Sequence, residues 1–276
     1  MSGKLYIVAT PIGNLGDITI RAVDILKSVD LVLAEDTRHS KKLFTHYEIG
    51  TSLRAFHEHN EKVKTEAIIN EINAGKSIAM ISDAGTPLIS DPGYHLVTKA
   101  KKASIEVVPI PGPSALITAL SSSGIASNSF TFFGFLPSKP IARLKLLKTK
   151  IYLDETIIFY ESPKRILSTL DDMLEVFGER REVCLAKELT KAFETILTDK
   201  LPNLIDYLTA DLSHQKGEFV ILVSAADKID LIESERQLDK LLPILCAEMG
   251  TSKAAKLAAK ITGIDKKHCY KRATAL

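Results

Sequence analysis

Ser82-Asp83-Ala84-Gly85-Thr86-Pro87-Leu88-Ile89-Ser90-Asp91-Pro92-Gly93 follows directly on the apolar run Ser77-Ile78-Ala79-Met80-Ile81. A short buried-type run emptying into a loop of Gly, Pro and Asp is where an α/β sheet places its ligand, at the carboxyl end of a strand. Two other runs end the same way. Leu5-Tyr6-Ile7-Val8-Ala9 enters Thr10-Pro11-Ile12-Gly13-Asn14-Leu15-Gly16-Asp17, and Ile105-Glu106-Val107-Val108-Pro109 enters Ile110-Pro111-Gly112-Pro113-Ser114-Ala115. For one such loop, Gly and Pro as simple strand punctuation is the better reading. Three together point to one crevice lined by main chain.

Outward from these loops, strand-like and helix-like segments alternate. Asp17 is placed to cap a helix carrying Ala22, Val23, Leu26 and Val29, and Leu31-Val32-Leu33-Ala34 reads as a strand ending at Glu35-Asp36-Thr37-Arg38. A helix from about Glu61 to Asn73 precedes the strand at Ser77, and Pro92 or Gly93 opens another before the strand at Ile105. Repeated β-α-β patterning predicts a mainly parallel sheet with helices on both faces.

A second unit is expected beyond Ser121-Ser122-Ser123-Gly124. Strands are predicted at Phe130–Phe135, Thr156–Tyr160, Glu182–Ala186, Phe193–Leu197 and Glu218–Val223, with a hairpin around Lys191 and helices starting near Lys139, Pro163 and Leu201. From Asp230 the pattern turns helical: Leu238, Leu241, Leu242 and Leu245 form one stripe, Ala254, Ala255, Leu257, Ala258 and Ile261 another, and after Gly263 a last helix is capped by Asp265. The expected organisation is an α/β chain with domains at 1–120 and 121–228 and a helix-turn-helix-like tail at 229–276.

The chain has 276 residues, formal net charge +2 and three cysteines, Cys184, Cys246 and Cys269, with no CxxC pair. Neither a disulfide framework nor a cysteine zinc site is supported. No apolar stretch reaches membrane-spanning length, and Met1-Ser2-Gly3-Lys4 leads into a strand without a signal-peptide pattern, so a cytoplasmic protein without membrane partners is expected. Charge is unevenly spread. No acidic residue lies between Glu106 and Asp154, where Lys139, Arg143, Lys145, Lys148 and Lys150 cluster, and residues 251–276 carry seven Lys or Arg against Asp265 alone. Two basic segments on a nearly neutral chain fit a polyanionic partner, although either alone is equally well a solvated helix face.

Several motifs fail on inspection. Gly13-Asn14-Leu15-Gly16 is not GxGxxG, and Gly75-Lys76-Ser77 lacks the first glycine of a phosphate loop and precedes a strand. His57-Glu58-His59 offers two imidazoles without a third ligand, so no metal is assigned. No Gly-x-Ser-x-Gly elbow occurs.

Thr10 to Asp17, Ala34 to Arg38, Ser82 to Gly93, Pro111 to Ala115 and Phe159-Tyr160-Glu161-Ser162-Pro163-Lys164-Arg165 together resemble the tetrapyrrole methylase superfamily. Within it they are similar to the branch that modifies ribosomal RNA, the small-subunit methyltransferase I group. The resemblance spans nearly the whole chain and is most specific at residues 82–93. It implies two α/β domains, a homodimer, and S-adenosyl-L-methionine held between the two sheets as methyl donor to a cytidine 2′-hydroxyl of 16S ribosomal RNA in the small ribosomal subunit. It further implies that Pro11, Gly13, Asp83, Ala84, Gly85, Thr86, Leu88, Ile89, Ser114 and Ala115 line the donor from the first domain, and Phe133, Glu161, Leu185, Ala186 and Lys187 from the second.

The chemistry agrees in kind: a zwitterion and a ribose need polar main-chain partners, and an adenine needs apolar walls. A ribose hydroxyl is a poor nucleophile while protonated, which makes Glu161 or Glu188 the candidate proton acceptor and Lys187 its electrostatic partner. Asp36, Arg38, His57 and Asn60 are expected near the substrate entrance, with Lys139, Arg143, Lys253, Lys256 and Lys260 on phosphates. Two other classes fit parts of the pattern. A small-tetrapyrrole methylase leaves the basic tail unexplained, and a non-catalytic nucleic-acid binder leaves three loops idle.

Overall fold

The computed structural model describes residues 3–226 and 228–276, and only the backbone of 228–233. Met1 and Ser2 of the N-terminal stretch, and Asp227 beside the expected tail boundary, lie outside the described residues. The chain forms two compact units, Met1–Thr118 with Glu188–Glu194, and Ala119–Lys187 with Thr195–Leu276.

The first unit is built on β1 (Lys4–Val8), β2 (Leu31–Ala34), β3 (Leu53–Ala55), β4 (Ile78–Met80) and β5 (Glu106–Ile110), in the order β3-β2-β4-β1-β5 and parallel throughout. Its helices are α1 (Ile20–Ser28), α2 (Thr37–His46), α3 (Glu58–Asn73), α4 (Tyr94–Lys102) and α5 (Ala115–Ser122), the last running past the unit boundary. Strand side chains alternate between faces. Leu5, Leu31, Leu33, Ile78 and Met80 pack with Ile68, Ile69 and Ile72 of α3 and Leu96 and Ala100 of α4. Val8, Val32, Ala34 and Ala79 pack on the other face with Ala22 and Leu26 of α1 and Leu43 and Phe44 of α2. The sheet is thus covered on both faces, as its near-continuous apolar runs require.

Local chemistry departs from the expectation at two helix starts. Asp17 closes a short 3₁₀ turn, and it is Thr19 that caps α1, accepting from Ala22 N at 3.1 Å. Asp36 caps α2, a helix whose polar sequence concealed it.

The second unit holds β6 (Phe130–Phe135), β7 (Thr156–Glu161), β8 (Glu182–Lys187), β9 (Thr195–Lys200) and β10 (Phe219–Val223), in the order β6-β7-β10-β8-β9. Only β6 and β7 run parallel; the other pairings are antiparallel, so this sheet is mixed. With α6 (Pro140–Lys148), α7 (Ile166–Phe177) and α8 (Leu201–Ala210) it encloses a core around Phe159, Leu170, Leu185, Leu204 and Ile221. The tail follows as α9 (Lys228–Met249), α10 (Thr251–Thr262) and α11 (Lys266–Ala273), with its own small core of Leu238, Leu242, Ala255, Ala258, Cys269 and Ala273. No helix among the described residues is long and apolar enough to cross a membrane.

Arg143 corrects the reading of the first basic segment. Its side chain is 2% exposed, and its guanidinium donates to Asp172 at 2.6 Å and to the Ser168 carbonyl at 3.2 Å. Every third or fourth residue of an amphipathic helix faces inward, and Arg143 shares its buried face with Leu147. It is an interior tie between α6 and α7, absent from the surface that a phosphate would meet. Arg143→Met leaves the Asp172 carboxylate without this cation, and the variant is expected to lose about 3 kcal/mol of stability, read as a lowered midpoint in chemical denaturation.

Candidate functional site

Three loops meet at the carboxyl edge of the parallel sheet. The chain leaves β1 toward α1 on one face and leaves β4 toward α4 on the other, so the loops after these neighbouring strands diverge, as at a topological switch point. Main chain ties them at their bases: Thr10 N donates to Gly85 O at 2.9 Å and Gly85 N to Thr10 O at 3.0 Å. The Thr10 hydroxyl donates to Ser82 O at 3.2 Å. Thr86 Oγ1 then donates to Pro113 O at 3.0 Å, fastening the third loop to the second. The loops grouped by composition are therefore bonded into one construction.

The backbone of the middle loop is held in uncommon conformations. Gly85 has φ +81°, and Leu88 and Ser90 adopt φ +73° and +68° although they carry side chains. Non-glycine residues in this region cost on the order of 1 kcal/mol each and persist where their surroundings fix them. Beside Gly85, a Cβ would stand 3.3 Å from Ile12 Cγ2. A side chain there meets both backbone strain and Ile12, so the need for glycine has an internal cause as well as any ligand-based one. Ala84 and Ile89 stay exposed, Pro11, Asp83, Thr86, Leu88, Ser114 and Ala115 are partly so, and Gly13 lies at the surface.

A charged corner adjoins these loops. Asp83 Oδ1 accepts from Asp36 N at 3.0 Å. The Asp36 carboxylate in turn grips Arg38, accepting from its backbone N at 2.8 Å, its Nε at 3.2 Å and its Nη2 at 2.9 Å. Arg38 is 88% exposed in its side chain, an outward guanidinium held by a fixed carboxylate. Those bonds lower the Asp36 carboxyl to about 2. Two further carboxylates, absent from the sequence-based set, behave oppositely. Burial, with help from neighbouring acids, raises Asp91 to about 6, and burial and Asp83 raise Glu35. Both stand inside the quoted motifs, and only their spatial convergence distinguishes them.

His57 and Asn60 lie at the start of α3, where Asn60 Oδ1 accepts from His57 N at 3.1 Å and Asn60 Nδ2 stands 2.9 Å from His57 Nε2. His57 Nδ1 is buried and has no hydrogen-bond partner among the described residues. Among the described residues, no group of three or more His, Cys, Asp or Glu is arranged to hold a metal ion.

The residues expected from the second unit are mostly interior. Glu161 is fully buried in its side chain: Oε1 accepts from Ser162 N at 2.7 Å and Arg165 Nε at 2.8 Å, and Oε2 from Thr169 Oγ1 at 2.8 Å. Lys187 is 7% exposed and donates to Ser213 O at 2.9 Å. Leu185 points into the core, Ala186 is buried on the other side of its strand, and Phe133 stacks on Phe159 with the Lys150 ammonium 4.1 Å from its centroid. Lys139 is exposed, as are Lys253, Lys256 and Lys260 on α10.

Glu188 has a different setting. The segment Glu188–Glu194, the tip of the β8–β9 hairpin, belongs to the first unit. Thr190 Oγ1 accepts from Asn14 N at 3.0 Å, and a Cβ on Gly13 would lie 2.6 Å from Lys191 Cγ and 3.0 Å from Leu189 O. Gly13 is thus required for close approach of this tip. Glu188 and Thr190 take φ +51° and +64°, and the Glu188 carboxylate pairs with Lys191 at 2.8 Å. A hairpin around Lys191 was legible from the sequence, but its docking on the first loop was not.

Residues 4–205 match the family model of tetrapyrrole (corrin/porphyrin) methylases, and residues 232–276 match the RsmI C-terminal HTH domain. The chain is 51% identical to ribosomal RNA small subunit methyltransferase I of Vibrio cholerae, covering 97% of this chain and 93% of that one. It is 48% identical to the protein of that name from Pseudomonas aeruginosa, over 99% and 97% of the two chains. Among solved structures, uroporphyrin-III-C-methyltransferase from Thermus thermophilus superposes with a TM-score of 0.58 at 18% identity, covering 80% of this chain and 94% of that one. Diphthine synthase does so at 0.62 and 13%, over 81% and 90%. At these identities the superpositions speak for the fold.

Asp91 allows a direct check of the charged corner. Its folded pKa lies above the ordinary carboxylate value, so the folded state holds its proton more tightly and stability falls as pH rises from about 4 to about 6. Asp91→Asn is expected to remove that decline and to stabilise the protein at pH 7 by on the order of 1 kcal/mol, solvent screening included. Denaturation midpoints of wild type and variant across pH 4 to 8 measure it; parallel curves contradict it.

Proposed function

The chain belongs to the tetrapyrrole methylase family, in the branch of the ribosomal RNA small subunit methyltransferases I, and from that premise we propose that it methylates the ribose 2′-hydroxyl of a cytidine in 16S ribosomal RNA, with S-adenosyl-L-methionine as donor. The observation that carries this reading is the bonded set of three loops at the switch point, joined in the same chain to a basic helical tail. A site for such a donor needs main chain for the amino acid and ribose and an apolar surface for the base. The loops supply both: glycine-bearing main chain around Gly85 and Gly112, and the side chains of the partly exposed Leu88 and the exposed Ile89. When bound, the donor supplies a methyl group on a positively charged sulfur, open to in-line attack by an oxygen.

The protein's own groups then have distinct tasks. The main-chain bonds between Thr10 and Gly85 and the bond from the Thr86 hydroxyl to Pro113 O hold the loops in fixed relation, which lowers the cost of orienting two reactants. Arg38, preset by Asp36 and through it by Asp83, is the group we assign to a substrate phosphate, and its fixed fork suits that geometry. We assign the proton of the 2′-hydroxyl to the Glu188 carboxylate, carried on the tip that packs against Gly13 and balanced by Lys191. Glu161, buried with both carboxylate oxygens bonded, and Lys187, buried and bonded to Ser213 O, act as positioning residues. We further propose that the protein works as a homodimer in the cytoplasm, on small ribosomal subunits.

The test is to incubate the protein with labelled donor and small subunits from a strain lacking its own enzyme, and to map the methyl by mass spectrometry. One ribose-methylated cytidine is the expected product; transfer to a tetrapyrrole and none to RNA would overturn the reading. Glu188→Gln is expected to lower kcat by about 10²-fold or more with little change in donor affinity, whereas an unchanged kcat would remove Glu188 from the proton transfer.

A further inference from the structure

The tail divides its charged residues between two faces. On α11, His268 Nε2 lies 3.0 Å from Glu235 Oε1 and Arg272 pairs with Asp239, so two basic side chains four residues apart face two acids of α9. Cys269 and Ala273 fill the small core. Asp265, the only acid in residues 251–276, is turned to the helix start, where its carboxylate accepts from Lys267 N at 2.8 Å and His268 N at 3.2 Å. Lys266, Lys267, Tyr270 and Lys271 remain. At about 100° per residue they fall within an arc of about 140°, opposite the residues tied to α9 and the core. All four are exposed, and among the described residues none of the three lysines has an acidic partner.

Tyr270 stands within that face with its side chain at the surface, 47% exposed, and no ring contact or side-chain hydrogen bond among the described residues explains it. An aromatic ring set among uncompensated lysines matches the two requirements of unpaired nucleic acid: cations for the backbone and a flat surface for a base. We propose that this face of α11 is a contact for single-stranded RNA in which Tyr270 stacks on an unpaired base and Lys266, Lys267 and Lys271 hold the flanking phosphates. The inference rests on the RNA-directed reading above and adds the strand form and the residue that recognises it. Charge complementarity selects the occupant, because Asp239 of α9 pairs with Arg272 on the inner edge of the helix while the lysines leave the outer edge cationic.

The full-length protein is titrated against a short fluorescein-labelled single-stranded RNA and against the same sequence in a duplex, by fluorescence anisotropy over a range of salt. Wild type is expected to favour the single strand. Tyr270→Ala is expected to weaken single-strand binding by about tenfold with an unchanged salt slope, and Tyr270→Phe to restore it. Replacing Lys266, Lys267 and Lys271 by Ala is expected to reduce the salt slope by about 2. Wild-type binding to the single strand with Tyr270→Ala indistinguishable from it, or a preference for the duplex, would overturn the stacking proposal and leave the RNA-directed reading standing. Failure of the wild type to bind either RNA, together with no methyl on the ribosomal subunit, would overturn both.

Discussion

The reciprocal pair of main-chain hydrogen bonds between Thr10 and Gly85 is the constraint on which the site depends. Strands β1 and β4 are neighbours, yet their loops depart to opposite faces of the sheet, and nothing in the strand ladder holds those loops in register beyond the strand ends. The bridge does so, and it needs a backbone at Gly85 with φ +81°. Once it is formed, the Thr10 hydroxyl reaches Ser82 O and Thr86 reaches Pro113, so the third loop, which already meets the first where Ala9 N donates to Ile110 O, is fastened to the second as well. The positive φ values of Leu88 and Ser90 follow from the same fastening, because a loop tied at Gly85 and turned back into α4 has little freedom between those points.

Charge is organised around that frame. Asp83 leaves the middle loop to accept from Asp36 N, and Asp36 sets the guanidinium of Arg38, so a displacement of the loop would be felt at an exposed cation four residues from the end of β2. Asp91 and Glu35 sit in the same corner, where burial and, after it, neighbouring like charge raise their carboxyl groups. One corner thus holds an acid well below the ordinary range and two above it. Solvent access and the presence or absence of a bonded cation explain the difference.

The parallel sheet and its three loops were legible because their signals are local: continuous apolar strands, and Gly, Pro and Asp at the strand ends. Elements with weak local signals were not. Strand β3 is three residues long and half-buried, and α2 reads as polar from Thr37 to His46. Charged residues were least legible, since a motif gives the same letters whether a side chain reaches solvent or an interior partner. Arg143 was expected on phosphate and is locked to Asp172, while Arg38, in an equally charged motif, projects outward. The approach of Glu188–Glu194 to Gly13 lies about 175 residues away in sequence, beyond any spacing argument.

If the three bonded loops are one binding construction, S-adenosyl-L-methionine must slow hydrogen exchange in all of them together. Exchange measured with and without the donor, over peptides covering residues 9–17, 82–93 and 110–116, reads this directly. Joint protection that saturates at a single donor concentration is the predicted result. Saturating donor binding that protects only one loop, or none of the three, would contradict the account.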